Sequence, residues 1–129
     1  MNTTWSRLAL LLLLAASAAP VAAGALDECQ TAGNHAAVTK CLFDADAEAQ
    51  ASLRNAEAIA GTRARELDTA TGRAGANAAL AKSLKAFLEY RTMQCNYVKA
   101  LYASGNGAEQ AGLACRADLT RRRVRELQP

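Results

Sequence analysis

The chain is predicted to fold as an all-α bundle, and three observations carry that expectation. Almost no segment alternates polar and apolar residues with period two, and β-branched residues are scarce while alanine is abundant. Apolar positions recur instead at three- and four-residue intervals along three long stretches. Turn-forming residues separate those stretches, at Gly33-Asn34, Thr71-Gly72 and Ser104-Gly105-Asn106-Gly107. The pattern predicts a small helical bundle or hairpin of three main helices, preceded by a short N-terminal turn.

The N-terminus reads as an export signal. Met1 to Arg7 is a short positive segment, and Leu8 to Ala19 is an unbroken apolar run with five consecutive leucines. Pro20 ends that run, and Val21-Ala22-Ala23 supplies the small residues of a cleavage site. The run is too short to span a bilayer. Leu26-Asp27-Glu28 before Cys29 does not suit lipidation. Residues 1–23 are therefore expected to be a signal peptide, with cleavage after Ala25 as the alternative. Residues 24–129 are expected to form one periplasmic or secreted domain.

Within that domain, Asp27 to Thr31 suits a single turn carrying Cys29. Asn34 is a plausible N-cap for a long helix whose stripe runs Val38, Leu42, Ala45, Ala49, Leu53, Ala56, Ala60 and Leu67. Its buried side chains are mostly alanine, so a neighbour can approach closely but each residue buries little area. Gly61 interrupts the pattern at a cost of about 1 kcal/mol relative to alanine and suits a bend. Gly72 suits a left-handed C-cap, and Asn77 is a candidate cap for the next helix. Leu80, Leu84, Leu88, Arg91, Cys95, Val98 and Tyr102, widened by Phe87 and Leu101, form the face expected to be the pinned centre of the fold. The last helix carries Leu113, Ala117, Thr120, Val124 and Leu127 and ends in an arginine-rich turn, read as a solvated helix end. Cys115 points away from that stripe, which suggests a late start or altered winding near it.

Four cysteines in a small exported chain imply two disulfides. They allow three connectivities. Pairing Cys29 with Cys41 and Cys95 with Cys115 closes the shortest loops, each across a turn. No Cys-x-x-Cys pair or zinc-type spacing suggests a metal, and no cofactor is indicated. Removal of the leader takes only Arg7 and leaves 14 basic against 12 acidic side chains. That near-neutral balance points to no nucleic-acid partner. Acids outnumber bases eight to five up to Arg73, and bases outnumber acids nine to four beyond it. Pairing between the halves explains this most simply.

No catalytic constellation is visible. The lone histidine, His35, sits at a helix start and reads as a surface or capping residue. Asp44, Asp46 and Glu48 lie two apart, so they fan around a helix as its polar face instead of converging. Arg91, inside an apolar stripe, calls for a carbonyl or carboxylate acceptor from another helix. Tyr90 and Tyr97 share a flank and read as boundary packing, with a stripe exposed to a partner as the alternative. The loop Ser104, Gly105, Asn106, Gly107 lies between Cys95 and Cys115. It is the candidate target-binding loop, because an anchored loop is ordered before it binds.

Phe87-Leu88-Glu89-Tyr90-Arg91, followed by Cys95, a Gly105-x-Gly107 turn, Cys115, and Leu119-Thr120 with Arg123 and Leu127, resembles the LprI-like lysozyme-inhibitor family. Two cysteines a dozen residues apart before a long helix fit as well. Phe87 stands where that family usually has tryptophan, Leu84 where glutamine is common and Thr92 where aspartate is typical. The resemblance implies a small exported helical domain, with Phe87, Tyr90, Arg91, Thr120 and Arg123 as structural motif residues. It also implies lysozyme inhibition, an activity of some members, and the leading expectation is a non-catalytic protein that inhibits lysozyme-type muramidases by occluding their cleft. A cell-envelope interaction or structural module without a lysozyme target is the alternative. The sequence leaves the oligomeric state open.

Overall fold

The computed structural model describes residues 24–103 and 105–128. The expected leader over 1–23 and Ser104 of the expected loop lie outside the described residues. The order is α1 (Ala25–Cys29), a 3₁₀ turn (Gln30–Ala32), α2 (His35–Thr71), α3 (Ala76–Leu101) and α4 (Gly107–Leu127). The described residues contain no strand, so the all-α expectation holds. Both disulfides form as the shortest-loop pairing requires, Cys29–Cys41 with a Cα–Cα distance of 5.7 Å and Cys95–Cys115 with 5.6 Å.

Local signals set most of the helix ends. The Asn34 side chain accepts a hydrogen bond from the Ala37 N–H at 3.0 Å, capping α2 as expected. Gly72 ends α2 with φ 65°, a left-handed cap that glycine adopts without a Cβ clash. The expected cap at Asn77 is not used. Gly75 stands at the N-cap of α3, and the free backbone donors of the first turn are taken by Asp68 from the last turn of α2. Its carboxylate accepts from the N–H groups of Gly75 at 3.2 Å, Ala76 at 2.9 Å and Asn77 at 3.1 Å. One side chain thus closes the α2–α3 turn and caps the following helix.

The core lies where α1, α2 and α4 meet. Ala25, Cys29, Leu42, Ala45, Leu113, Ala114 and Ala117 are buried together, with Val38, Leu26 and Cys41 packed around them. The expected centre shifts accordingly. In α3 only Cys95 is fully buried, whereas α4 buries Ala111, Gly112, Leu113, Ala114, Ala117 and Thr120. α2 and α4 each pack against the other three helices, and α4, with six buried residues, takes the central place that α3 was expected to hold.

That arrangement also removes the misfit at Cys115. α4 is regular from Gly107, and it presents Leu113 and Ala117 to the core while Cys115, on another flank, meets α3. Near this bridge the two helices come close. A Cβ on Gly112 would fall 2.6 Å from Cγ and Cδ of Lys99, whose stem lies across α4 at that point.

The α3 stripe differs from expectation as well. Leu80, Leu84, Phe87, Arg91, Gln94, Cys95 and Val98 face inward. Leu88, Leu101 and Tyr102 are instead exposed. From Leu84 the inward path steps three residues to Phe87, which turns Leu88 outward. In α2 the stripe continues through Ala60, Gly61 and Ala64, and Leu67 is exposed, because this part of the helix extends beyond the end of α4.

Polar pairs tie α4 to its neighbours. Asp46, expected on the polar face of α2, is buried, and its Oδ2 accepts from Arg116 Nε at 3.0 Å and Nη2 at 2.8 Å. Asp44 and Glu48 remain exposed, Asp44 pairing with Lys40 at 2.6 Å. On another flank of α4, Asp118 Oδ1 accepts from the Ala25 N–H at 2.9 Å and so caps α1, while Arg121 donates to Glu28 at 2.9 Å. The Gln110 amide donates to the His35 carbonyl at 3.2 Å and to Thr39 Oγ1 at 3.0 Å, with His35 Nδ1 2.9 Å away.

The three backbone bonds to Asp68, from Asn77 first and then Ala76 and Gly75, hold its carboxyl below the ordinary value of 3.8. A carboxyl lowered by folding contributes stability above its unfolded pKa and loses it as the pH falls through the folded value. Asp68→Asn is therefore expected to melt below wild type at neutral pH. The gap should narrow as the pH drops below 3.8. Thermal melts from neutral pH to about pH 3 check this, and a gap independent of pH would refute the charged cap.

Candidate functional site

Four of the five motif residues converge at the α3–α4 interface. Arg91 Nη1 donates to Thr120 Oγ1 at 2.8 Å, and the Thr120 side chain is fully buried. The expected carbonyl or carboxylate partner is thus a hydroxyl. The Arg91 guanidinium carbon lies 5.7 Å from the centroid of the Phe87 ring, and that of Arg123 lies 5.8 Å from the same ring. Arg123 also donates to Ser83 Oγ at 2.6 Å and to Glu126 Oε2 at 3.1 Å. One half-buried aromatic ring is flanked by two guanidinium groups, each secured across or along the helices.

Tyr90 is not part of this cluster. It is 49% exposed and Tyr97 is 59% exposed, so both stand on the outer face of α3 instead of packing at a boundary. The arginine-rich end of α4 is likewise more engaged than a solvated terminus. Arg121 and Arg123 are committed to Glu28 and to the Phe87 cluster, while Arg122 and Arg125 are exposed.

The candidate loop is compact. Its backbone bonds stay local, from Tyr102 N to Lys99 O, Ala103 N to Ala100 O, Gly105 N to Tyr102 O and Ala108 N to Gly105 O, each at 3.1 Å. Ala103 sits at φ 51°, in the left-handed region that costs a non-glycine residue about 1 kcal/mol or more. The Tyr102 ring packs beside Gly107, with Cδ1 3.2 Å from where a Cβ would stand. Tyr102 is otherwise half-exposed, and Gly105 and Asn106 are exposed.

Two arrangements therefore carry the sequence-expected residues: an internal aromatic–guanidinium lock, and an exposed turn about ten residues beyond the Cys95–Cys115 bridge on either side. Sequence reasoning missed Ser83 as a member of the lock. The exposed stripe considered as the alternative for Tyr90 and Tyr97 is the arrangement found, and sequence reasoning missed only its continuation through Met93 and Leu101, although the regular spacing of those residues was a readable signal. Among the described residues no group of three or more His, Cys, Asp or Glu could hold a metal ion, and no helix is long and apolar enough to cross a membrane. Among the described residues, the His35 ring is partnered by the Gln110 side chain, 2.9 Å from Nδ1.

Fold and site together define a small, disulfide-stapled helical bundle whose polar clusters serve to pack helices and cap their ends. The family model described as Lysozyme inhibitor LprI matches residues 26–127, and the chain belongs to that family. No curated protein and no solved structure matches the chain. The family and the two disulfides both fit an exported protein.

The lock makes a stability prediction. Arg91→Ala removes a charge-assisted hydrogen bond and leaves a buried hydroxyl unpaired, at an expected cost of about 2–3 kcal/mol. That should lower Tm by roughly 10 °C or more. Thr120→Val should cost less, since a half-buried guanidinium can turn to water, and the double variant should fall short of the sum. A melting temperature for Arg91→Ala within a couple of degrees of wild type would contradict the burial and pairing described above.

Proposed function

We propose that this chain is an exported inhibitor of lysozyme-type muramidases, acting by steric occlusion of the catalytic cleft with its α3–α4 turn. The observation that carries the reading is the turn itself. It is anchored by the Cys95–Cys115 bridge, internally hydrogen-bonded, and projects Tyr102, Gly105 and Asn106 into solvent.

A turn already ordered in the free protein loses little conformational entropy on binding. Strain at Ala103 is held by the surrounding bonds, a common feature of binding segments. Muramidase clefts bind an extended glycan between a pair of carboxylates. A narrow polar turn beside an aromatic ring has the shape and the hydrogen-bonding groups to fill such a groove without chemistry. Family membership supports lysozyme as the target class. The near-neutral net charge offers no long-range steering toward cationic lysozymes, so association is expected at an unsteered rate.

A turbidity assay of cell-wall lysis with the purified exported protein and both c-type and g-type lysozymes tests the proposal. Inhibition saturating near equimolar ratio is expected for at least one enzyme type. Tyr102→Ala should weaken it by about tenfold or more while circular dichroism stays helical. Full lysis at micromolar excess of inhibitor with every enzyme would sink the proposal and favour an envelope interaction module.

A further inference from the structure

The outer face of α3 carries a second pattern that the inhibitory turn does not use. Its first half presents the small residues Ala79 and Ala86, with Ser83 at the edge nearest α4, where its Oγ is bonded to Arg123, and its second half presents Tyr90, Met93, Tyr97 and Leu101. All seven positions are exposed, with Tyr90 49%, Met93 67%, Tyr97 59% and Leu101 64% accessible. Successive members are spaced four, three, four, three, four and four residues apart, close to the repeat at which one helix keeps a seam toward another. No charged residue interrupts the line. Lys82, Lys85, Glu89 and Lys99 all fall off it.

We infer that this face is the seam of a two-fold homodimer in which α3 packs antiparallel to α3 of a second copy. The size gradient along the helix selects that occupant and direction. With the axis near Tyr90, Leu101 of one copy lies opposite Ala79 of the other, Tyr97 opposite Ser83, and Met93 opposite Ala86. The two Tyr90 rings meet at the centre. Each large side chain then fills the space left by a small one, as close packing demands. A parallel pair would crowd the large halves together and leave a gap between the small ones.

The dimensions suit a stable pair. From Ala79 to Leu101 the seam runs about 33 Å at a helical rise of 1.5 Å per residue. Four large apolar side chains, each half-exposed or more, supply on the order of 100 Å² apiece as the core of the interface. The flanking polar residues complete the roughly 800 Å² per partner of a standard interface. The near-neutral protein opposes self-association little by charge. The two α3–α4 turns lie at opposite ends of such a dimer, so both remain open. This inference is independent of the lysozyme reading.

Sedimentation equilibrium on the exported protein tests it. Wild type is expected at twice the monomer mass at micromolar concentration. Leu101→Lys, an exposed position whose change should leave the melting temperature alone, should weaken the dimer at least tenfold. Adding Ala79→Glu should restore it, because only antiparallel pairing sets the new acid opposite the new base. A wild-type monomer throughout the micromolar range overturns the inference. So does a dimer indifferent to Leu101→Lys, or a double variant no better associated than the single one. A monomer that instead binds lysozyme or neutral lipid vesicles through Tyr97 would give the face to that occupant and equally refute the dimer.

Discussion

Close approach of α2 and α4 is the constraint on which the rest of this fold depends. The facing stripes are built mainly from Ala45, Ala49 and Ala56 on one side and Ala114 and Ala117 on the other, with Leu42, Leu53 and Leu113 as the larger members. Small side chains bring two helices together over a long contact, but each contributes little hydrophobic free energy. A core this thin, in a domain of about a hundred residues, leaves a modest margin. Both disulfides address that shortfall. Each closes a loop short enough that about 3 kcal/mol is the expected order of its contribution, through restriction of the unfolded chain.

The polar contacts answer a different need. Alanine stripes slide easily along one another, because they offer few protrusions to fix the register. Across this bundle the register is set by directional pairs made from α4: Gln110 to the start of α2, Arg116 to buried Asp46, Asp118 to the first turn of α1, and Thr120 to Arg91 of α3. They are distributed along α4, so a shift by one residue would break several of them at once. One oxygen of Asp46 remains buried without a partner, and burying that carboxylate opposes the gain from its two bonds to Arg116. The pair is better understood as a device for specificity than as a large source of stability.

How much of this was legible in the sequence follows from how local each cause is. Helical periodicity, the Asn34 and Gly72 caps, and cysteine pairs flanking turns depend on residues within a few turns of one another, and all were readable. Which neighbour lies over which face was not. Asp46 looked like its solvent-exposed neighbours Asp44 and Glu48 because its partner, Arg116, lies 70 residues away. Asp68 gave no sign of capping α3, since an asparagine at position 77 offered the more conventional local signal and the true acceptor belongs to the preceding helix. The α3 stripe was ambiguous because that helix carries apolar residues on two faces. Leu88 could be assigned to either one, and only the position of α4 decides between them.

The same geometry bears on what membership in the family establishes. Phe87, Arg91, Thr120 and Arg123, on which the resemblance largely rests, are the residues that lock α3 to α4. Arg91 and Thr120 spend their hydrogen bond on each other, and the two guanidinium groups share one aromatic ring. Such residues specify how the hairpin is built, and with it the direction in which the bridge holds the turn. They contribute to recognition only by holding the surfaces that recognise. Recognition is therefore left to side chains outside the lock, and the exposed turn is a region where two chains with the same lock can present different chemistry.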